Sequence, residues 1–211
     1  MKWGREHGRR SAVLQHRTVW QGSALLLHRP DERLAGRLAS VEEMLGHLDS
    51  GFAMALGRAT ARLRNLDTRT AVGGHALTFG PGKNCSLLLT HWMADDNRDR
   101  VVHRQPFVDA YRAAGAPPPA GAMPDHLAVV LEFAANVDPE AGRQLLVDHR
   151  VEIAALQRAL SAVGSPYAHA VAAVCATLPD VDAGEIRSVK GSGSNAETVG
   201  SQHVHLDHPP K

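Results

Sequence analysis

The sequence predicts an all-α, single-domain protein on three observations. Ala and Leu dominate a hydrophobic content of 44%, against only nine aromatic residues, which favours close-packed helices over a sheet built from Val, Ile, Tyr and Phe. Apolar residues step at three and four through long stretches, the period of a helix with one wet face. Capping residues stand directly before prolines at Asp138-Pro139 and Ser165-Pro166, a local start signal for helices. At 211 residues, one domain is the expected count.

A first helix is expected from about Ala12 to Leu27, turning Val13, Val19 or Trp20, and Leu27 inward. After Pro30, a second carries Leu34, Leu38, Val41, Leu45 and Leu48 on one face. A third carries Phe52, Leu56, Ala59, Leu63 and Leu66, with Arg58, Arg62 and Arg64 toward water. Gly73, Gly74, Gly80, Pro81 and Gly82 crowd the stretch from Ala71 to Lys83, which reads as a glycine-rich connection. Asn84 to Asp95 reads as a buried helix through Leu87, Leu88 and Trp92. A further helix spans Arg98 to Ala114, with a break expected before Phe107 because Pro106 removes a backbone donor.

Residues 115–123 (GAPPPAGAM) form a Pro/Gly linker, and helix resumes at Pro124. The helix after Asp138 places Leu145, His149, Ile153, Leu156, Leu160 and Val163 on one stripe, with His149 a hydrogen-bonded interface residue. The helix after Ser165 turns Val171, Val174 or Cys175, and Leu178 inward. From Gly184 the composition shifts to Gly, Ser, Asn and His, so residues 12–183 are expected to form the helical domain and 184–211 a flexible, disordered tail.

Charge excludes little but names no partner. Lys+Arg 23 against Asp+Glu 22 provides no polybasic surface for nucleic acid. No apolar run approaches the ~18 residues of a membrane-spanning helix. The basic N-terminus lacks the apolar core of a signal peptide, and Cys85 and Cys175 suit reduced packing thiols. Both point to the cytoplasm.

Catalytic motifs fail on inspection. Gly80, Gly82 and Lys83 do not complete a phosphate loop, because Leu77 stands at the first glycine position and Asn84 follows the lysine. Ser192 and Ser194 lie in a GSGS stretch with no nucleophile elbow, and Glu43 with His47 has the wrong spacing for a di-metal helix pair. His203, His205 and His208 could chelate a metal, but with no capping helix or supporting shell around them they read as a solvated tail with adventitious affinity. No cofactor and no metal site is expected.

The segment Pro124-Asp125-His126-Leu127-Ala128-Val129-Val130-Leu131-Glu132-Phe133 resembles the signature of the respiratory nitrate reductase assembly chaperones, the NarJ or delta-subunit family within the TorD-like group. Further resemblances lie at Val19–Leu27 with Pro30–Glu32, at Ala110–Gly115, at Asp148–Arg150 and at Gly164–Ala168 with Ala173–Pro179. They extend from about residue 18 to 180. Departures concentrate between Phe79 and Arg100, and Arg29 stands where the family has Tyr.

The resemblance implies a TorD-like helical bundle that is not an enzyme. It would bind the N-terminal region of the nitrate reductase catalytic (alpha) subunit for molybdenum cofactor insertion and complex assembly, without inserting into the membrane. It further implies client contacts from Trp92, Tyr111, Leu127, Leu131 and Phe133 as apolar lining, with Asp125, His126 and Glu132 as polar partners. Helix-to-core packing would produce the same apolar spacing. A helical protein that has lost its client, and a histidine-based metal enzyme, stay open as alternatives.

Overall fold

The computed structural model describes residues 2–81, 83–93 and 97–189, with side chains from Ser11 onward except at Asn97. Ten α-helices occur among the described residues, with one short 3-10 turn, no named strand and a single antiparallel bridge between Leu88 and His126. They are α1 (Lys2–Leu27), α2 (Leu34–Leu45), α3 (Ser50–Arg64), α4 (Thr68–Phe79), α5 (Asn97–Ala113), α6 (Leu127–Asn136), α7 (Pro139–Asp148), α8 (Arg150–Ala162), α9 (Tyr167–Cys175) and α10 (Ala183–Ser188).

The centre of the bundle is α6. All of its residues but Glu132 and Asn136 are buried, as expected of a helix that is apolar on every side. It lies between α1 and α7, and α1 also packs on α9, which is flanked by α3 and α8. Polar groups on α1 reach α9 and the segment after it. Trp20 Nε1 donates to Thr177 Oγ1 at 2.8 Å, and Ser23 Oγ donates to the Ala170 carbonyl at 3.2 Å. A Cβ at Gly142 would stand 2.4 Å from the Ala134 Cα, so glycine is what lets α7 approach α6 backbone to backbone.

Several elements differ from the sequence expectation, each for a non-local reason. Helix α1 begins at Lys2 rather than near Ala12, and Val13 is 48% exposed instead of interior. The expected glycine-rich connection is helical as far as Phe79. The Asp67 side chain caps the Thr70 N–H, and His75, Phe79 and Tyr167 stack with centroids 4.8–5.6 Å apart, so capping and packing override the weak propensity of Gly73 and Gly74. The connection proper starts at Gly80.

The described part of the helix expected from Asn84 to Asp95, residues 84–93, forms no α-helix; Leu89–Trp92 makes a 3-10 turn. Its backbone is engaged elsewhere: Leu127 N donates to Leu87 O at 2.7 Å, and Leu89 N donates to Asp125 O at 3.0 Å. Helix α5 runs through Pro106 without the expected break. Pro106 and Val102 are both exposed, so the carbonyl that loses its donor lies where water reaches it.

The single helix expected after Asp138 is two, divided at His149 (φ −108°, ψ 22°). His149 is hydrogen-bonded at an interface, Nδ1 lying 2.8 Å from Leu145 O with the ring against Phe107, whereas Val163 is 64% exposed rather than on the stripe. Gly164 (φ 63°) ends the second of these helices, as only glycine does without strain.

The tail expected from Gly184 is still helical there. Asp182 and Glu185 form a reciprocal capping box, and Ile186 is buried against α8. The rest of the expected tail, with Ser192, Ser194, His203, His205 and His208, lies outside the described residues. Both cysteines are free thiols, and burial pushes Cys175 up to about 12.

Candidate functional site

The Pro124-Asp125-His126 turn enters α6 from the linker, and its polar groups tie three segments together. Asp125 is completely buried. One carboxylate oxygen, Oδ2, accepts from Thr90 Oγ1 at 2.6 Å on the 3-10 turn, and Oδ1 accepts from Arg104 Nε at 2.9 Å on α5. Its carbonyl accepts from Leu89, next to the Leu88–His126 bridge. Buried carboxylates persist only where charge and hydrogen bonds are both matched, and Asp125 has both. It joins the 3-10 turn and α5 to the start of α6 and does not face solvent.

His126 supplies the N-cap backbone of α6, and its Nδ1 is buried without a hydrogen-bond partner. Burial, reinforced by His28, holds the imidazole down to about 4. Glu132, the one polar side chain on the buried stretch of α6, pairs with His28 Nε2 at 2.7 Å and is about one-third exposed. Tyr111 donates its hydroxyl to Val129 O at 3.0 Å and stacks on Phe133 with centroids 4.4 Å apart. Burial and the nearby Glu132 raise the phenol well above its ordinary range.

Of the eight residues expected to meet a client, Trp92, Tyr111, Asp125, Leu127, Leu131 and Phe133 are buried and only His126 and Glu132 reach solvent appreciably. Leu127 and Leu131 are wholly enclosed in the core. Trp92 donates Nε1 to the Ser86 carbonyl at 3.0 Å and lines a different depression, with Val151 and Val189. Tyr111, Glu132 and Phe133 do come together, on the wall of a cavity of about 240 Å³ closed by Pro117, Pro119 and Val137.

A larger depression of about 440 Å³ was not anticipated. It lies on the other side of the same helix end, between Leu14 and Arg17 of α1, Met44 and His47 at the end of α2, and Ala135 and Asn136 of α6. The one local signal for it is Leu14, an apolar residue lying off the buried face of α1 and 62% exposed. Among the described residues no group of three His, Cys, Asp or Glu side chains is placed to hold a metal ion. No helix there is long and apolar enough to cross a membrane. Chemically, the arrangement offers shallow apolar cavities with charged rims beside a rigid polar junction, features suited to non-covalent binding.

Comparison with known proteins agrees with this architecture. The nitrate reductase-like protein NarX of Mycobacterium tuberculosis, in strains CDC 1551 / Oshkosh and H37Rv, is 47% identical over 159 residues, covering 75% of this chain and 24% of NarX. The probable nitrate reductase molybdenum cofactor assembly chaperone NarJ of Bacillus subtilis is 27% identical over 118 residues, covering 56% of this chain and 63% of its own. The chain thus spans about a quarter of the length of NarX. Residues 45–173, which contain the Asp125 junction and all of α6, match the family described as nitrate reductase delta subunit. With most of its helical bundle inside that match, the chain belongs to the nitrate reductase delta subunit family.

Proposed function

We propose that this chain is a nitrate reductase assembly chaperone. It binds the N-terminal region of the catalytic subunit in the cytoplasm, keeps it competent for molybdenum cofactor insertion and membrane assembly, and performs no bond chemistry of its own. The observation that supports this most directly is the Pro124–Phe133 segment: it carries the family signature and is held by the Asp125 junction in a chain of that family.

On this reading the signature residues divide their work. Asp125, Leu127, Leu131 and Trp92 hold α6 and its neighbours in place from within. Glu132 and His126 reach solvent, and Tyr111 and Phe133 form cavity wall, so these four are the ones available to a client. A peptide laying apolar side chains into such cavities needs no reactive group in the chaperone.

Calorimetric titration with a synthetic peptide of the catalytic subunit's N-terminal region tests the proposal. Binding at micromolar or tighter affinity, about −8 kcal/mol or better, with a negative heat-capacity change, is the expected result. Absence of binding by the folded protein to any such peptide from the same organism would refute it and favour the helical protein without a client.

A further inference from the structure

A cavity of about 400 Å³ opens between the 3-10 turn, α5, the start of α8 and α10, away from the Pro124–Phe133 segment. Trp92, Met93, Val151 and Val189 make much of its wall apolar, and two carboxylates, Glu152 and Glu185, stand in the lining. Among the described residues no lysine or arginine lines it.

The two carboxylates differ in what answers them. Glu185 is occupied on both oxygens: Oε1 accepts from Arg150 Nη2 at 3.2 Å, and Oε2 accepts from the Asp182 N–H at 3.0 Å. Glu152 is half-buried and its Oε2 is enclosed without a hydrogen-bond partner; no ion pair answers its charge among the described residues. Its position in the first turn of α8 is one from which a glutamate can reach back to cap the N-cap N–H. That donor is already spent, because the His149 N–H is bonded to the Leu145 carbonyl at 3.2 Å as the last turn of α7. Capping therefore does not account for Glu152. A carboxylate withdrawn from water with no donor is unfavourable, and a ligand that brings N–H groups and a positive charge removes the deficit.

We infer that this cavity is a binding site for a small organic cation, an alkylguanidinium whose planar head pairs with the Glu152 carboxylate and whose stem lies on Met93, Val151 and Val189. Guanidinium is more weakly hydrated than ammonium and presents parallel N–H groups to a carboxylate, so it gives up less on leaving water for a partly apolar wall. The apolar lining beside one unmatched charge defines the rest of the ligand: a short hydrocarbon stem and no negative group. This site stands independently of the chaperone reading.

The test is a titration of the full chain with n-butylguanidinium chloride, followed by NMR of the backbone amides, beside n-butylurea, a neutral molecule of nearly the same shape. Butylguanidinium should saturate with a Kd of about 1 mM or tighter, with its largest shifts at Val151, Glu152 and Val189, and butylurea should bind about tenfold more weakly or worse. Glu152→Gln should weaken butylguanidinium binding by about tenfold or more. Glu140→Gln, which removes an exposed carboxylate from the equivalent first turn of α7, should stay within about twofold. Circular dichroism checks folding, and Glu152→Ala replaces Glu152→Gln if that variant fails it. N-acetylarginine amide distinguishes the two sources of the head group: weaker binding than butylguanidinium assigns the cavity to a free alkylguanidine, and tighter binding to an arginine side chain of another chain, both upholding the guanidinium site.

Equal affinity for butylurea, unchanged affinity in a folded Glu152 variant, an equal loss in Glu140→Gln, or shifts that do not saturate overturns the site. None of these results bears on the chaperone reading, which is tested with a different ligand.

Discussion

Replacing Asp125 by Ala should destabilise the protein severely, because its buried carboxylate answers two donors, Thr90 Oγ1 and Arg104 Nε. Thr90 Oγ1 is wholly buried and would be left unsatisfied, at a cost of about 1–3 kcal/mol. Removing one member of a buried ion pair costs about 3–5 kcal/mol when the other is fully enclosed. Arg104 is 21% exposed and regains some water, so only part of that second cost applies. The total is about 3 kcal/mol, or roughly 6–12 °C in melting temperature for a chain of this size. Asp125→Asn keeps the volume and one acceptor and should cost about half as much.

Urea denaturation of Asp125→Ala, Thr90→Val and the double variant measures this directly. Thr90→Val removes the orphaned donor, so the double variant should be less destabilised than the two single losses added together. A loss below about 0.5 kcal/mol for Asp125→Ala, or strict additivity in the cycle, would refute the junction as a stabilising element. The same reasoning makes Asp125 an unsuitable probe of client contact. Reduced peptide binding by its variants would report unfolding, and Glu132→Gln, on a partly exposed residue, separates the two.

Stability should fall on acidification below pH 6.5, because the folded state holds His126 down to about 4 and lowers His75 in the same sense, both chiefly through burial, so the unfolded chain binds the extra protons. Each such histidine contributes a slope of up to about 1.4 kcal/mol per pH unit between its two pKa values. Denaturation at pH 7, 6 and 5 should show the slope, and His126→Gln should reduce it; a pH-independent midpoint would contradict the burial of the ring. Gly142→Ala should cost about 2 kcal/mol in urea denaturation despite alanine's better helix propensity, since its methyl group meets the α6 backbone at Ala134; a neutral or stabilising result would mean that α6 and α7 can part freely. Deleting residues 183–211 should lower the melting temperature more than deleting 190–211, because only the first removes the Ile186 and Val189 contacts; equal effects would show that α10 contributes nothing to the core.

Much of the helical content is legible in the sequence because its signals are local. The spacing from Leu34 to Val41 and from Leu56 to Leu63 states which face of α2 and α3 is apolar, and Leu34, Leu38, Val41, Leu56, Ala59 and Leu63 are indeed buried. Asp138 before Pro139 marks the start of α7 by capping chemistry that involves only the next few residues, and the structure shows Asp138 accepting from Glu140 and Ala141. The family signature from Pro124 to Phe133 is likewise contiguous.

Contacts between distant segments decided the rest. Gly73 and Gly74 are helical because Tyr167 lies against Phe79 and His75, nearly a hundred residues away in sequence. Residues 87–89 are kept out of an α-helix by hydrogen bonds to 125–127. Spacing on α6 showed that Leu127 and Leu131 share an apolar face; it could not show whether that face meets a client or this chain's own helices, since both bury the same side chains with the same periodicity. The cavities beside Asn136 were invisible for the same reason. Their walls come from α1, α2, α6 and the proline linker, and a concave surface exists only once those segments are packed together.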